Sequence, residues 1–282
     1  MAVDDYLGLV AICGEEGTGK TTMALTFPKP IRHFDVDVGG YRRAIWRLSA
    51  KGIESKGYPK PIQMEKLMGQ TGTATTRISM PKRVVGMKEL WQQIVTDFVA
   101  ACQDASIKTI VIDSATLLWS ICHNSHLEEL QERQLANHKS KNPNRPFDEN
   151  DYRERLQPVE YGPANDRMRT ILHTARAFQK NLILTHYPTD EYGTIPDAKG
   201  NMVEGKTGIK ILDGFKETGK LVDLIVWVSI KETVNAGKKN KYPIARITKC
   251  GIEGMGLNAI GLEIPATYED FINLKNLMEG SK

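Results

Sequence analysis

Residues 7–22 read Leu7-Gly-Leu-Val-Ala-Ile-Cys13-Gly14-Glu-Glu-Gly-Thr-Gly-Lys-Thr-Thr22. The apolar run that ends at Cys13 predicts a buried strand, and residues 21–27 predict a short helix. Between them, residues 14–21 match the pattern G-x-x-x-x-G-K-[ST] at every fixed position. A glycine-rich turn at a helix N-terminus aims backbone N–H groups at phosphate oxygens. This stretch therefore predicts a nucleoside triphosphate site formed by Gly14, Glu15, Glu16, Gly17, Thr18, Gly19, Lys20, Thr21 and Thr22.

Three polar side chains are candidates for the chemistry at this site. Lys20 offers a mobile cation to the β- and γ-phosphates, and the Thr21 hydroxyl can bind Mg²⁺. Asp113 ends the apolar run of residues 109–112, where a second carboxylate would hold the same metal. We therefore expect ATP and Mg²⁺ as cofactors. Because Ser114 follows Asp113 in place of a glutamate, the catalytic carboxylate must come from elsewhere in the chain.

The rest of the chain alternates buried strands with amphipathic helices. Strands are predicted at residues 7–13, 31–36, 108–113 and 181–185, and helices at residues 87–105, 116–135 and 164–180. This alternation predicts an α/β fold with a mainly parallel sheet flanked by helices. Two further strands, at residues 221–230 and 242–248, predict a C-terminal antiparallel pair.

Three segments interrupt this pattern, and we expect all of them to belong to a single domain that spans residues 1–282. Residues 49–86 are polar and predict a basic insertion or arm, and residues 137–151 predict a polar linker. Residues 188–218 predict a long loop between two strands, rich in glycine and lysine. Loops of that length inside a compact core are usually functional or disordered.

Composition narrows the class of protein further. The 282 residues are 40% hydrophobic and 26% charged, which argues against general disorder. No run approaches eighteen apolar residues, the first five residues carry two aspartates and no basic residue, and four cysteines are widely scattered. We expect a cytoplasmic protein with no membrane partner. The net charge is +4. The segment from Arg42 to Leu90 contains eleven basic and three acidic residues, which is typical either of a solvated surface or of a patch that binds nucleic acid.

The motifs together resemble those of RecA-like recombinases, and more closely the small phage-encoded RecA-like ATPases of single-strand annealing and recombination. The resemblance rests on residues 14–22, on Asp35-Val-Asp-Val-Gly-Gly40 and on Ile112-Asp-Ser-Ala-Thr116. It covers residues 7–40, 108–118 and 181–250. It implies a RecA-like P-loop core that hydrolyses ATP on single-stranded DNA, in a bacterial host cytoplasm if the chain is phage-encoded. It also implies a homo-oligomer, filament or ring, and a single-strand-binding protein as a further partner.

The resemblance assigns catalytic roles to two more residues. Asp37 matches the carboxylate that activates the attacking water, although an aspartate before two glycines is also an ordinary turn cap. His186 ends the strand that senses the γ-phosphate in this family, where glutamine is usual. A structural histidine is the alternative at that position.

Cations near the C-terminus complete the expected site. The resemblance implies that the loop of residues 188–218 contacts single-stranded DNA through its lysines, the alternative being a plain mobile loop. It also implies that Arg246 and Lys249 reach the γ-phosphate of a neighbouring subunit, although cations also protect exposed strand edges. The lysines of the loop are Lys199, Lys206, Lys210 and Lys216.

Two functions from different classes follow from these predictions. The first is a DNA-dependent ATPase that assembles on single strands and promotes annealing or strand exchange. The alternative is a nucleotide-gated binding module, such as a helicase-loading or other replication accessory ATPase, in which ATP controls a partner. Stimulation of ATP hydrolysis by single-stranded DNA distinguishes the two.

Overall fold

The computed structural model describes residues 6–46, 48–61, 82–196, 200–235 and 238–280. Within these ranges, eight strands form one sheet in the order β10-β9-β8-β1-β5-β4-β2-β3. The six strands from β8 to β3 are parallel, and β9 and β10 continue the sheet antiparallel. The strands are β1 (Leu9–Cys13), β2 (Ile31–Asp35), β3 (Ile53–Gly57), β4 (Thr109–Asp113), β5 (Asn181–His186), β8 (Leu224–Asn235), β9 (Lys238–Cys250) and β10 (Glu263–Pro265).

Helices cover both faces of this sheet. Three long helices pack on one face, namely α3 (Met87–Gln103), α4 (Ala115–Lys141) and α5 (Tyr161–Ala177). The other face carries α1 (Lys20–Ala24), α2 (Gly40–Ile45) and α7 (Tyr268–Gly280), and a short helix, α6 (Thr218–Leu221), precedes β8. Single 3₁₀ turns lie at Glu149–Asp151, Pro158–Glu160 and Gly256–Ala259. The predicted α/β architecture, with its C-terminal antiparallel strands, is confirmed.

The hydrophobic core lies in two layers, one on each face of the sheet. Side chains alternate between faces along a strand, so Leu9 and Ala11 pack under the long helices while Val10 and Ile12 pack under α1 and α7. A strand buried on both faces is apolar at successive positions, which explains the unbroken runs of β1 and β4. The carboxyl ends of the parallel strands meet at one edge, where polar residues collect.

Part of the segment expected to lie outside the core belongs to the main sheet. Residues 53–57 form the edge strand β3, parallel to β2, and Tyr58 after it is buried against Phe34 with ring centroids 5.4 Å apart. The expectation of an insertion is wrong for these residues. Residues 62–81 lie outside the described residues. An edge strand has one partner and an open side, so its polar sequence lacks the apolar run of a central strand.

The expected loop of residues 188–218 is largely a second, two-stranded sheet. Strands β6 (Pro188–Pro196) and β7 (Met202–Leu212) pair antiparallel, with an irregularity between Asp190 and Tyr192. This hairpin begins two residues after the end of β5. The predicted linker is also partly helical, because α4 continues to Lys141.

Two further features concern the whole described chain. The four cysteines Cys13, Cys102, Cys122 and Cys250 are all free thiols and all buried. Of the helices within the described ranges, none combines the length and apolar character needed to span a bilayer.

Candidate functional site

The phosphate-binding stretch connects β1 to α1 and depends on glycine in two different ways. Gly17 and Gly19 have φ angles of 75° and 100°, in the left-handed region that favours glycine. Gly14 has an ordinary φ, but a Cβ atom there would lie 2.4 Å from the carbonyl oxygen of Val228 on β8. The turn can therefore approach β8 closely only without a side chain at residue 14.

The Lys20 ammonium is held inside this turn. Its Nζ donates hydrogen bonds to the carbonyl oxygens of Gly14 and Glu15, both at 2.8 Å, and the residue is 8% exposed. Burial lowers the pKa of Lys20, while the charge of Asp113 opposes this effect. The same Nζ lies 4.6 Å from the centroid of the Tyr187 ring. The cation thus lies among backbone carbonyls, which phosphate oxygens could replace as acceptors.

A hydroxyl and a carboxylate stand side by side next to Lys20. Thr21 Oγ1 donates to Asp113 Oδ2 at 2.6 Å, and the Thr185 hydroxyl donates to Asp113 Oδ1. His33 Nε2 lies 3.7 Å from Asp113 Oδ2. Burial alone would raise the pKa of Asp113, but His33 and the two hydroxyls outweigh it, so that the pKa is lowered and the carboxylate stays charged.

These two groups fit a magnesium ion. Mg²⁺ prefers hard oxygen ligands and is usually held by one or two protein groups together with phosphates and water. Thr21 and Asp113 supply that donor set at the carboxyl end of β4. Across the described residues, no group of three or more His, Cys, Asp or Glu side chains could hold a metal by itself.

Two aspartates follow β2, and they have different surroundings. Asp35 is in register with Asp113 and is buried, and its Oδ2 accepts from the Gly39 N–H at 3.1 Å. Asp37 lines the cavity above the phosphate turn, and its Oδ2 accepts from the Tyr187 hydroxyl at 2.7 Å. Of the two, Asp37 is the carboxylate that faces the cavity.

The cavity has a volume of about 440 Å³ and brings most of the predicted site residues together. The turn supplies its floor, and α2 supplies one wall. Three residues that sequence reasoning did not select, Arg43, Trp46 and Tyr187, also line it. The predicted site residues in its lining are Glu16, Gly17, Gly19, Lys20, Thr21, Thr22, Asp37 and Asp113.

His186 is not part of this cavity lining. Its side chain is fully buried, and Nδ1 lies 2.8 Å from the carbonyl oxygen of Asp213. A carbonyl only accepts, so Nδ1 carries the proton and donates it. Strand alternation instead brings Thr185 to Asp113, and Tyr187 after the strand reaches Asp37. The γ-phosphate role expected for His186 does not fit this geometry.

The burial of His186 predicts a pH-dependent stability. Burial lowers its pKa to about 4, whereas an unfolded histidine titrates near 6.5. Between these values the unfolded chain binds a proton that the folded chain does not, so the free energy of unfolding falls as the pH falls. We expect a loss of about 2 kcal/mol between pH 7 and pH 5 from this residue. Urea unfolding at pH 7 and at pH 5 measures the free energy of unfolding at each value. The His186→Gln variant should lose much less stability between the two. An equal loss in that variant would show that His186 does not cause the pH dependence.

Lys249 has a local structural role. Its Nζ donates to the carbonyl oxygens of Gly219, Lys220 and Val222 at 2.9, 3.1 and 2.6 Å. These groups lie at the C-terminal end of α6, where a cation satisfies carbonyls that lack helical partners. The ammonium is therefore hydrogen-bonded within its own chain. This position does not fit the expected contact with the γ-phosphate of a neighbouring subunit. Arg246 is exposed and lines a separate groove described below.

The four lysines expected to contact DNA differ in whether an acidic side chain already pairs with them. Lys206 and Lys210 both form ion pairs with Asp190, each at 2.6 Å. Lys216 follows the hairpin and is exposed. Lys199 lies outside the described residues. Two of the four predicted DNA contacts are thus already paired with an acid of the same hairpin.

Sequence reasoning missed Thr185, Tyr187 and His33. The first two lie at or just after the carboxyl end of a parallel strand, where ligand-binding residues commonly occur, and that position could have selected them. His33 lies inside β2, fully buried, with Nδ1 2.8 Å from Ser55 Oγ on β3. No sequence signal marks it, because its neighbours come from strands far apart in the chain.

The phosphate turn lies beside a hydroxyl–carboxylate pair at the carboxyl ends of a parallel, helix-flanked sheet. This arrangement defines a P-loop ATPase. The family model described as "AAA domain" matches residues 9–249, and the chain belongs to that family. Members of the class generally use a nucleotide and Mg²⁺.

The similarity of this chain to an individual protein of known structure is distant in sequence. Among solved structures, the chain is similar to the KaiC-like protein PH0186 from the hyperthermophilic archaeon Pyrococcus horikoshii OT3, with a TM-score of 0.43 and 13% sequence identity. That alignment covers 92% of this chain and 85% of the other. No curated protein matches the sequence significantly.

Proposed function

We propose that this ATPase acts on single-stranded DNA, in recombination or strand annealing of the phage type. The proposal is carried by a groove of about 960 Å³ between the β6–β7 hairpin and strands β8 and β9. Two aromatic residues line the groove, Trp227 and the 69% exposed Tyr192. Lys210, Lys216 and Arg246 line it too. Proteins that bind single-stranded nucleic acid commonly combine aromatic side chains, on which the bases stack, with cations that neutralise the phosphate backbone.

The pairing of β8 with β9 supports this assignment. Trp227 and Arg246 are directly opposite each other across the two antiparallel strands, so their side chains share one face of the sheet. Arg246 therefore belongs, in this proposal, to the DNA groove of its own subunit. Lys216 also lines the groove, and among the described residues of the hairpin no acidic side chain forms an ion pair with it.

The catalytic roles that we propose follow from the geometry of the phosphate site. Lys20 would exchange its two carbonyl acceptors for β- and γ-phosphate oxygens. Thr21 and Asp113 would hold Mg²⁺, which when bound neutralises phosphate charge. Asp37 would accept the proton of the attacking water, because its carboxylate faces the cavity beside Lys20.

We also propose that the active form is an oligomer, a ring or filament. Trp46 stands at the rim of the phosphate cavity and is 71% exposed, although large aromatic side chains are usually well buried. A neighbouring subunit that covered this rim would bury Trp46 and enclose the nucleotide. Sedimentation with a non-hydrolysable ATP analogue and Mg²⁺ tests this proposal, and a native chain that stays monomeric would contradict it. A Trp46→Ala variant that assembles as well as the native chain would place the interface elsewhere.

One observation favours the alternative, a nucleotide-gated binding module for a protein partner. Residues 188–218 contain six acidic and four basic residues, and Asp190 pairs with two of the lysines. An acidic hairpin suits a basic protein surface better than a phosphate backbone. Hydrolysis measured with and without polydeoxythymidine decides between the two functions, since this module would not respond to DNA.

Removal of the groove cations should weaken DNA binding in a salt-dependent way. Each phosphate neutralised contributes about −0.7 to the slope of log K against log salt for single strands. A Lys216→Ala/Arg246→Ala variant should therefore flatten that slope by about 1.4 and reduce stimulation of the ATPase by DNA. Fluorescence anisotropy with labelled polydeoxythymidine over a salt series measures the slope.

A matched control removes the same charge elsewhere. Lys139 and Lys141 are exposed on the last turn of α4, outside the groove, and their double alanine variant should keep the native slope. An equal change in both variants would show that only net charge matters. A groove variant with native slope, in a chain that still binds DNA, would place the binding surface elsewhere.

A further inference from the structure

We propose that Tyr187 is a gate that restrains ATP hydrolysis until the β6–β7 hairpin is engaged. The gate acts on Asp37, so this inference rests on the proposed role of Asp37 as the base that activates water. Tyr187 is here a positioning residue, because it would act through Asp37 and Lys20.

The first observation is that one side chain contacts both reactive groups of the site. The Tyr187 hydroxyl donates to Asp37 Oδ2 at 2.7 Å, and its ring centroid lies 4.6 Å from Lys20 Nζ. Burial and the contact with Asp37 raise the pKa of Tyr187, so the phenol keeps its proton and remains the donor. A carboxylate oxygen that already accepts this hydrogen bond is a poorer acceptor for the proton of a water molecule.

The second observation concerns Lys20. With Tyr187 in this position, the ammonium donates to Gly14 and Glu15 and faces an aromatic ring. A cation over an aromatic face is attracted to it. Movement of Lys20 toward phosphate oxygens would weaken this attraction, and the ring would then be freer to leave.

The third observation is the place of Tyr187 at the base of the hairpin. Its carbonyl oxygen accepts from the Asp213 N–H at 2.9 Å, and its N–H donates to Thr116 Oγ1 at 3.2 Å. The Thr116 hydroxyl in turn donates to the Asp213 carbonyl at 2.9 Å. Tyr187 and Asp213 thus flank the two strands of the hairpin, one before β6 and one after β7. A force on the hairpin therefore reaches Tyr187 through one backbone hydrogen bond from Asp213 and through the Thr116 hydroxyl, which bridges the two residues.

Together these contacts describe a restraint that two events must release. Phosphate binding would remove Lys20 from the ring, and engagement of the hairpin would shift the backbone of Tyr187. The hydroxyl would then leave Asp37, whose carboxylate becomes available to a water molecule. Hydrolysis without a partner is expected to be slow because the second event is missing.

The test is Tyr187→Phe, which removes the hydroxyl and keeps the ring. We expect kcat without DNA to rise about tenfold with an unchanged KM, because a hydrogen bond to a charged group is commonly worth that factor. The ratio of stimulated to basal turnover should fall accordingly. A merely structural role would lower activity instead. If the variant proves unstable, Tyr187→Leu carries the same expectation.

Controls separate the gate from the role of Asp37. Tyr161→Phe removes a hydroxyl from α5, where the ring packs near Trp119, and should leave kcat unchanged. Adding Asp37→Asn to the Tyr187→Phe variant should abolish the gain. If Asp37→Asn alone leaves kcat intact, the proposed catalytic role fails and the gate fails with it. If it lowers kcat but Tyr187→Phe does not raise it, the gate alone is overturned.

Discussion

Replacement of Lys20 by alanine is expected to abolish ATP turnover, with a fall in kcat/KM of at least about a thousandfold. The Nζ atom stands inside the phosphate turn, and no other lysine or arginine of residues 14–22 can take its place. Loss of one such cation typically costs several kcal/mol of transition-state stabilisation, roughly three orders of magnitude in rate. Phosphate release measured over a range of ATP concentrations, with Mg²⁺ in excess, gives kcat/KM and so measures the effect.

A second lysine provides the control for this experiment. Lys51 is exposed in the turn before β3, and Lys51→Ala should hydrolyse ATP at the native rate. Near-native turnover in Lys20→Ala would refute the assignment of residues 14–22 as the hydrolytic site. A thermal midpoint close to the native value would show that the variant is folded and that the loss is chemical.

Replacement of Asp37 by asparagine is expected to lower kcat by about a hundredfold while nucleotide affinity changes little. A general base acts mainly in the transition state and contributes about 10² to 10⁴ in rate. Asparagine keeps the size of the side chain and can still accept from the Tyr187 hydroxyl, but it cannot accept the proton of a water molecule. Single-turnover hydrolysis and binding of a fluorescent ATP analogue separate the two effects.

Asp113→Asn is the informative comparison for Asp37→Asn. Asp113 contacts Thr21 and Thr185 and is proposed to hold Mg²⁺, so its loss should weaken Mg²⁺-dependent nucleotide binding. Asp37 touches neither threonine in the structure. The two variants should therefore differ in the Mg²⁺ concentration that supports half-maximal binding. If they behave alike, the division of roles between the two carboxylates is wrong.

The central sheet and the phosphate site could be predicted because their signals are local. The glycine turn, Lys20 and Thr21 form one short motif, and Asp113 ends an unbroken apolar run. The helices on one face were also predictable, since α3 and α5 carry apolar residues at helical spacing. Their predicted bounds differ from those in the structure by at most three residues.

The remaining parts depend on contacts between distant segments. Strand β3 is polar because it lies at the sheet edge, and only its pairing with β2 defines it. Asp190 lies opposite Lys210 in the register of the hairpin, so a lysine that the sequence presents as a free cation is paired. Tyr187 reaches Asp37 across 150 positions of sequence, and no local pattern indicates that contact.

The burial of all four thiols has a practical consequence for experiments on the hairpin. Thiolate is the reactive form of cysteine, and burial raises the pKa of Cys13 to about 12 and that of Cys102 to about 11. Maleimide dyes should therefore modify the native chain slowly. A cysteine introduced at the exposed Val203 on β7 would be labelled selectively in the otherwise native sequence. Its fluorescence would follow the hairpin through a catalytic cycle.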